Sequence, residues 1–210
     1  VTPENLATAL PPFLAGLRAG GLKVTWATAG FMPTPLVKDP TPLKILADNG
    51  VTEYRMGHFW YDGPDVRGVL AEVRKELEQL APVLERHGVK CVYQLHHFSL
   101  VASATGEYDM VKGLPPERFG VMLDPGNQSH DGWEHWHRSA RLLREYLCGL
   151  GVKDTCPTRD PSKADEPKKG WQQPWCPIYE GITEWRAVML ALANLSRMGR
   201  WTSPYTINTG

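Results

Sequence analysis

The chain shows no excess of either charge: 23 Lys and Arg balance 23 Asp and Glu over 210 residues, with no long block of one sign. A nucleic-acid binder needs a basic face to displace the counterions of phosphates, so DNA and RNA are not expected partners. Long apolar runs are absent too. No segment approaches the roughly 20 apolar residues of a membrane span, and none has the pattern of a signal segment, so no membrane partner is expected. Cysteine is sparse and unpatterned, since Cys91, Cys148, Cys156 and Cys176 show neither C-x-x-C nor zinc-finger spacing. Reduced thiols in a cytoplasmic protein follow as the expectation. Cys156 and Cys176 bracket a loop and are the pair able to approach each other. An initiating Met is also lacking, and from Val1 we expect a lost upstream leader or domain segment.

What is present is an alternation of helices and strands, in a length that suits one domain over residues 1–210. Thr2-Pro3 opens a helix through about residue 18, stopped by Gly20-Gly21. Residues 22–28 read as a strand, residues 42–49 as a short helix after a Pro-punctuated loop, and the run ending at His58 as a second strand. Val69, Val73, Leu77, Leu80 and Leu84 recur at helical spacing between residues 66 and 87 and give the clearest helix in the chain. A strand at 89–95, a helix near 107–112, a strand ending at Asp124, a helix over 130–147 and a strand ending at Asp154 follow. A long loop over 155–179, a helix over 183–198 and a strand-like run at 201–207 complete the pattern. Six strands, five of them preceded by a helix, predict a parallel sheet with right-handed crossovers.

Several of these strands turn polar at the same end. Val121-Met122-Leu123 delivers Asp124 to a Pro125-Gly126 turn before Asn127, residues 89–97 finish on Gln94, His96 and His97, residues 150–154 on Lys153-Asp154, and residues 54–58 on His58. Carboxyl ends of parallel strands that share polar residues imply one site. The competing reading of Asp124 is turn chemistry alone, since Asp before Pro-Gly initiates turns well.

In order along the chain, Gly120-Val121-Met122-Leu123-Asp124-Pro125-Gly126-Asn127, Val152-Lys153-Asp154 and Tyr179-Glu180-Gly181-Ile182-Thr183-Glu184-Trp185 resemble the motifs of the xylose isomerase-like TIM barrels, the sugar-phosphate isomerase/epimerase superfamily. The resemblance implies an α/β fold of (β/α)8 TIM-barrel type from which the first two βα units are lacking, leaving six parallel strands. Two strand edges, around residues 24–27 and 201–207, are then expected to stay open or to meet a neighbouring copy, which makes a homo-oligomer an expected partner.

The resemblance also implies a divalent metal (Mn, Mg, Zn or Co) held by two glutamates, an aspartate and a histidine, the glutamates doubling as acid/base groups beside a carbonyl. Asp124 matches the aspartate. Gln94 stands at the first glutamate, Asn127 where the family often has His, Gly151 at the usual His, and Tyr205 or a neighbour at the last Glu. Metal is therefore expected to be weakly held or absent, with Asp124, Gln94 and His96 as its ligands. Strand alternation puts Val92, Gln94 and His96 on one face and turns His97 towards the helices. His96, Asp124 and Lys153 are the catalytic candidates.

Arg55, His58, Gln94, Asn127, Asp154, Trp171, Trp175 and Tyr205 are candidates for substrate binding, the two tryptophans as stacking faces for a sugar on a lid formed by residues 155–179. Arg55 reads equally as an ion-paired structural arginine, and Lys153-Asp154 as a local ion pair. The His-rich run from His130 to His137 is not an H-E-x-x-H arrangement, because His130 and Glu134 share a helical face while His135 and His137 do not. The expected activity is isomerisation or epimerisation of a small polyhydroxy or keto-sugar compound, or its phosphate, with metal assistance. The alternative is a catalytically degenerate barrel that binds a carbohydrate-like ligand or a partner, and an endonuclease of the related barrel type ranks third.

Overall fold

The computed structural model describes residues 3–61, 63–163, 165, 170–197 and 206–208. A turn of 3-10 helix (Pro3–Asn5) leads into α1 (Leu6–Ala19), whose Leu6, Leu10 and Leu14 recur every fourth residue and form its buried stripe. Strand β1 (Trp26–Thr28) is shorter than the run at 22–28 suggests, because its ladder with β2 (Glu53–Arg55) begins only at Trp26 against Glu53. Between them, α2 (Pro33–Lys38) forms where the prolines suggest a loop. Proline in a first helical turn loses no hydrogen bond there, so it starts this helix rather than preventing it. Helix α3 (Thr41–Asp48) ends at Asn49-Gly50, with Gly50 at φ 70°.

Helix α4 (Val66–His87) has the bounds that its periodicity predicts: Asp65 caps it by accepting from the Gly68 amide, and Gly88 at φ 64° ends it. Strand β3 (Lys90–Gln94), α5 (Ala104–Val111) and β4 (Phe119–Leu123) follow. All five residues of β4 are buried, the pattern of an interior parallel strand covered on both sides. The single helix expected over 130–147 is instead two. Helix α6 (Pro125–Asp131) stops at Gly132, whose φ of 109° no helix accommodates, and α7 (Trp136–Leu143) resumes after His135. Leu147 and Cys148 belong to the fully buried β5 (Leu147–Gly151).

Beyond Gly151 the chain forms two short antiparallel pairs, β6 (Asp154–Thr155) with β9 (Trp175–Cys176) and β7 (Thr158–Arg159) with β8 (Trp171–Gln172). Asp154 therefore sits in a separate ladder rather than at the end of β5. Helix α8 (Trp185–Arg197) and β10 (Thr206–Asn208) complete the described chain.

The sheet order is β1-β2-β3-β4-β5-β10, in sequence as expected, and the registers of β1 with β2, β2 with β3, β4 with β5 and β5 with β10 are parallel. The register of β4 against β5 slips once, from Val121↔Leu147 to Met122↔Gly149, leaving Cys148 as an extra residue on β5.

The chain divides into two compact units, Val1–Gln94 with Asp109–Gly120, and Leu95–Tyr108 with Val121–Gly210. In the first, α4 lies against α2 and α3, and Leu77, Leu80 and Leu84 are buried with Leu43, Leu46 and Tyr54. Phe13 and Leu22 of this unit stay more than half exposed, and an apolar cavity of ≈ 310 Å³ lies among Leu6, Leu10, Phe13, Val24, Trp26 and Phe31. Within the run 24–27 itself, Val24, Trp26 and Ala27 are half-buried. Its counterpart at 201–205 lies outside the described residues. In the second unit α7 lies against α8, and Met122, Leu123, Leu143, Leu150, Val188 and Leu192 are buried.

Candidate active site

Asp124 is fully buried and is the N-cap of α6, with Pro125 in the helix's first turn. The Pro-Gly sequence thus starts a helix rather than a free turn, because proline's fixed φ suits the first helical position. One carboxylate oxygen of Asp124 accepts from the Asn127 amide at 2.8 Å, and the other from Asn127 Nδ2 at 2.9 Å. Lys153 Nζ lies 3.5 Å from that second oxygen. Both glycines nearby are required by close approach. A Cβ on Gly126 would stand 2.7 Å from the Lys153 carbonyl oxygen, and one on Gly151 would stand 2.7 Å from Asp124 Cγ. The Asp124 carboxylate fills the space that a side chain at 151 would need.

Asn127 also donates to the Leu95 carbonyl at 2.7 Å. With both amide hydrogens engaged, its Oδ1 is an acceptor, and His97 Nδ1, 2.7 Å away, must carry the hydrogen. His97 stacks between His96 and His130, with ring centroids 4.5 and 4.4 Å away, and Trp175 meets His130 at 5.0 Å. The reading that turns His97 towards the helices fails because β3 stops at Gln94, so strand alternation does not extend to residues 96 and 97. Burial lowers the pKa of His96 and of His130 below the ordinary imidazole value, which favours neutral rings at pH 7.

His96, His97, Val152, Lys153, Asp154, Trp175, Cys176, Pro177 and Ile178 line one cavity of ≈ 680 Å³ within the second unit. The Lys153 ammonium sits 4.5 Å over the Trp175 ring, a cation–π arrangement. Trp171, the other expected stacking face, lies in β8 with 61% exposure and does not line this cavity.

Asp154 does not pair with Lys153. Its carboxylate accepts from the Thr155 amide at 2.8 Å, Thr183 Oγ1 at 2.9 Å and Trp185 Nε1 at 2.8 Å, with the Thr183 amide at 3.2 Å. It therefore fastens the start of α8 to β6, and Gly181 supplies the room, since a Cβ there would collide with the carboxylate.

In the first unit, Arg55 Nη1 donates to Gln94 Oε1, so the amide oxygen that would ligate an ion is already an acceptor. His58 packs edge-on against Tyr93 at 5.7 Å. Tyr205 lies outside the described residues.

Glu107, which the sequence reading passes over, is fully buried on α5, where the Leu95 backbone offsets only part of the effect of burial on its carboxyl group. Burial raises its pKa well above the ordinary value, with Asp124 and Glu134 adding to the rise. The signal was available: Ala104, Glu107 and Val111 share one helical face, and the other two are apolar and buried.

A family model described as xylose isomerase-like TIM barrel matches residues 45–200. The chain belongs to that family. Its fold is accordingly α/β of TIM-barrel type, with six parallel strands. No curated protein matches the chain. Among solved structures it is similar to a xylose isomerase-like TIM barrel protein of Mycobacterium smegmatis in complex with magnesium, at 14% identity and TM-score 0.65, covering 95% of this chain and 70% of that one. D-psicose 3-epimerase of Clostridium cellulolyticum H10, solved with D-tagatose, is 18% identical with TM-score 0.66, over 93% and 67% of the two chains. The 3-keto-D-glucoside 4-epimerase YcjR of E. coli is 11% identical with TM-score 0.68, over 97% and 78%.

The divalent ion implied by the resemblance does not fit these side chains. Among the described residues no three His, Cys, Asp or Glu side chains are grouped to hold an ion. Asp124 is capped and paired, and Gly151 has no space for a ligand. Hard cations require several oxygen ligands, and one such carboxylate does not supply them.

Two outcomes are expected. Glu107 stays protonated when folded at pH values where the unfolded chain has ionised it, so wild type loses stability as pH rises from about 4.5 towards the raised folded value. Glu107→Gln should match wild type near pH 4 and exceed it by ~1–3 kcal/mol near pH 8 in urea unfolding; equal stability at pH 8 would contradict the buried acid. Asp154→Ala strands the Thr183 and Trp185 donors and should cost ~3 kcal/mol, read as a lowered urea midpoint. A midpoint unchanged from wild type would remove Asp154 as the fastener of α8.

Proposed function

We propose that this chain is a sugar isomerase/epimerase-like protein that takes a small polyhydroxy or keto-sugar compound into the cavity of its second unit. The lining of that cavity carries the reading: Trp175, 48% exposed, offers an aromatic face, with Lys153, His96 and His97 around ≈ 680 Å³. That volume lies in the range of small-molecule sites, and an indole face with nearby donors suits the C–H surface and hydroxyls of a sugar. The epimerases of similar fold support sugar as the ligand class.

The chemistry such a ligand needs is removal and return of a proton on a carbon next to a carbonyl. His96, neutral at pH 7 because of its burial, is the acceptor, and the Lys153 ammonium stabilises negative charge on the carbonyl oxygen. Asp124 holds that ammonium in place. No step is assigned to a divalent ion. Binding without turnover is the second reading. The observation in its favour is that Gln94, an amide that cannot accept a proton as a base, stands at the expected glutamate and is bonded to Arg55.

Incubation with D-tagatose or D-psicose in D2O separates the two. Turnover should place deuterium on the carbon beside the carbonyl, and His96→Gln should abolish the exchange. Quenching of tryptophan fluorescence by the same sugars should weaken about 10-fold in Trp175→Ala, ~1.4 kcal/mol. Quenching without exchange supports binding alone, and neither signal with any keto-sugar would sink the sugar reading.

A further inference from the structure

We propose that Lys153 occupies, as a built-in part of the fold, the place beside Asp124 where a divalent cation would have to sit, so that this site works without a metal ion. The inference rests on the reading of the cavity as the functional site, though its test measures the ion alone. Asp124 has no exposed surface, and a buried carboxylate needs a counter-charge and donors. Both needs are met from within the chain. Asn127 supplies two donors, one to each oxygen, and the Lys153 ammonium stands 3.5 Å from Oδ2.

The approach of an ion is obstructed from two further directions. On β5 the residue alongside Asp124 is Gly151, and the carboxylate leans into the volume where a ligating side chain would start, with a Cβ there only 2.7 Å from Asp124 Cγ. On the other side the ammonium is held by the Trp175 ring, 4.5 Å from its centroid, and the Lys153 backbone is fixed against the start of α6 by the absence of a Cβ on Gly126. The lysine is thus confined by a carboxylate, an aromatic face and its own backbone, and its side chain is only 22% exposed. A divalent ion at Asp124 would stand next to that ammonium and be repelled by it.

An ammonium differs from a metal ion in what it offers a ligand. It donates directed N–H bonds and carries one charge rather than two, so it would bind a carbonyl or hydroxyl oxygen at the cavity by hydrogen bonding rather than by coordination. The site should then be indifferent to chelators.

The test is titration of manganese(II) alone into the full chain, followed by calorimetry and by loss of the free-ion paramagnetic resonance signal. Wild type and Lys153→Arg, which keeps the charge, should take up no ion below ~1 mM, whereas Lys153→Gln removes the ammonium beside Asp124 and should bind at least ~10-fold more tightly. One manganese ion per wild-type chain, lost in Asp124→Asn, would overturn the proposal. So would a Lys153→Gln protein that binds no better than wild type. Should Lys153→Gln fail to fold, the thermal midpoint of wild type decides: no change with millimolar manganese or with EDTA supports the proposal, and a rise with manganese reversed by EDTA overturns it. Loss of deuterium exchange with sugars would leave all these readings unchanged, so the two ideas fail separately.

Discussion

A carboxylate without solvent must be surrounded by donors or give up its charge, and the second unit is arranged around that requirement at Asp124. The residue leaves the end of β4, caps α6, accepts both the backbone and the side chain of Asn127, and lies beside Lys153. The neighbour it meets on β5 depends on a small backbone event. The slip in register between β4 and β5 sets Leu123 against Leu150 rather than Gly149, and it therefore brings Gly151 alongside Asp124. Were Cys148 in register with Met122, Leu150 rather than Gly151 would stand opposite Asp124. The bulge and the place of Gly151 are two consequences of one alignment.

Elements with strong periodicity were legible in the sequence. Helix α4 shows apolar residues at helical spacing, an Asp before it and a Gly after it, and all three signals point to the same ends. Helix α2 was hidden because proline counts as a breaker until its position in the first turn is known. The break at Gly132 was equally hidden, since glycine within an apolar periodic run reads as tolerated until its φ is seen. Strand order followed from alternation alone, because right-handed crossovers leave few other arrangements.

The site was legible only where local sequence fixes it. Asp124-Pro125-Gly126 carries its geometry in three residues: it is helix-starting chemistry that leaves the carboxylate buried beside Lys153. His97 was misplaced because alternation was extended past the last ladder residue of β3. Asp154 was placed in the cavity, which it lines, but its oxygens are engaged by Thr183 and Trp185, contacts some thirty residues away that no local pattern encodes. Glu107 was passed over because a charged residue on a short helix is usually solvated, although its neighbours at 104 and 111 are apolar.

The charges at the cavity bear on the ligand class proposed for it. Asp124 and Lys153 offset each other, Asp154 is engaged by uncharged donors from Thr155, Thr183 and Trp185, and burial keeps His96 and His130 towards the neutral form. A phosphate ester needs a surplus of positive charge or a set of backbone amides directed at it. The residues lining this cavity supply one cation, and that cation already faces a buried carboxylate. An uncharged polyol, bound by an indole face and by single donors and acceptors, demands no such surplus. On the proposed reading of this cavity as a sugar site, the charge balance at Asp124 favours a neutral sugar over a phosphorylated one.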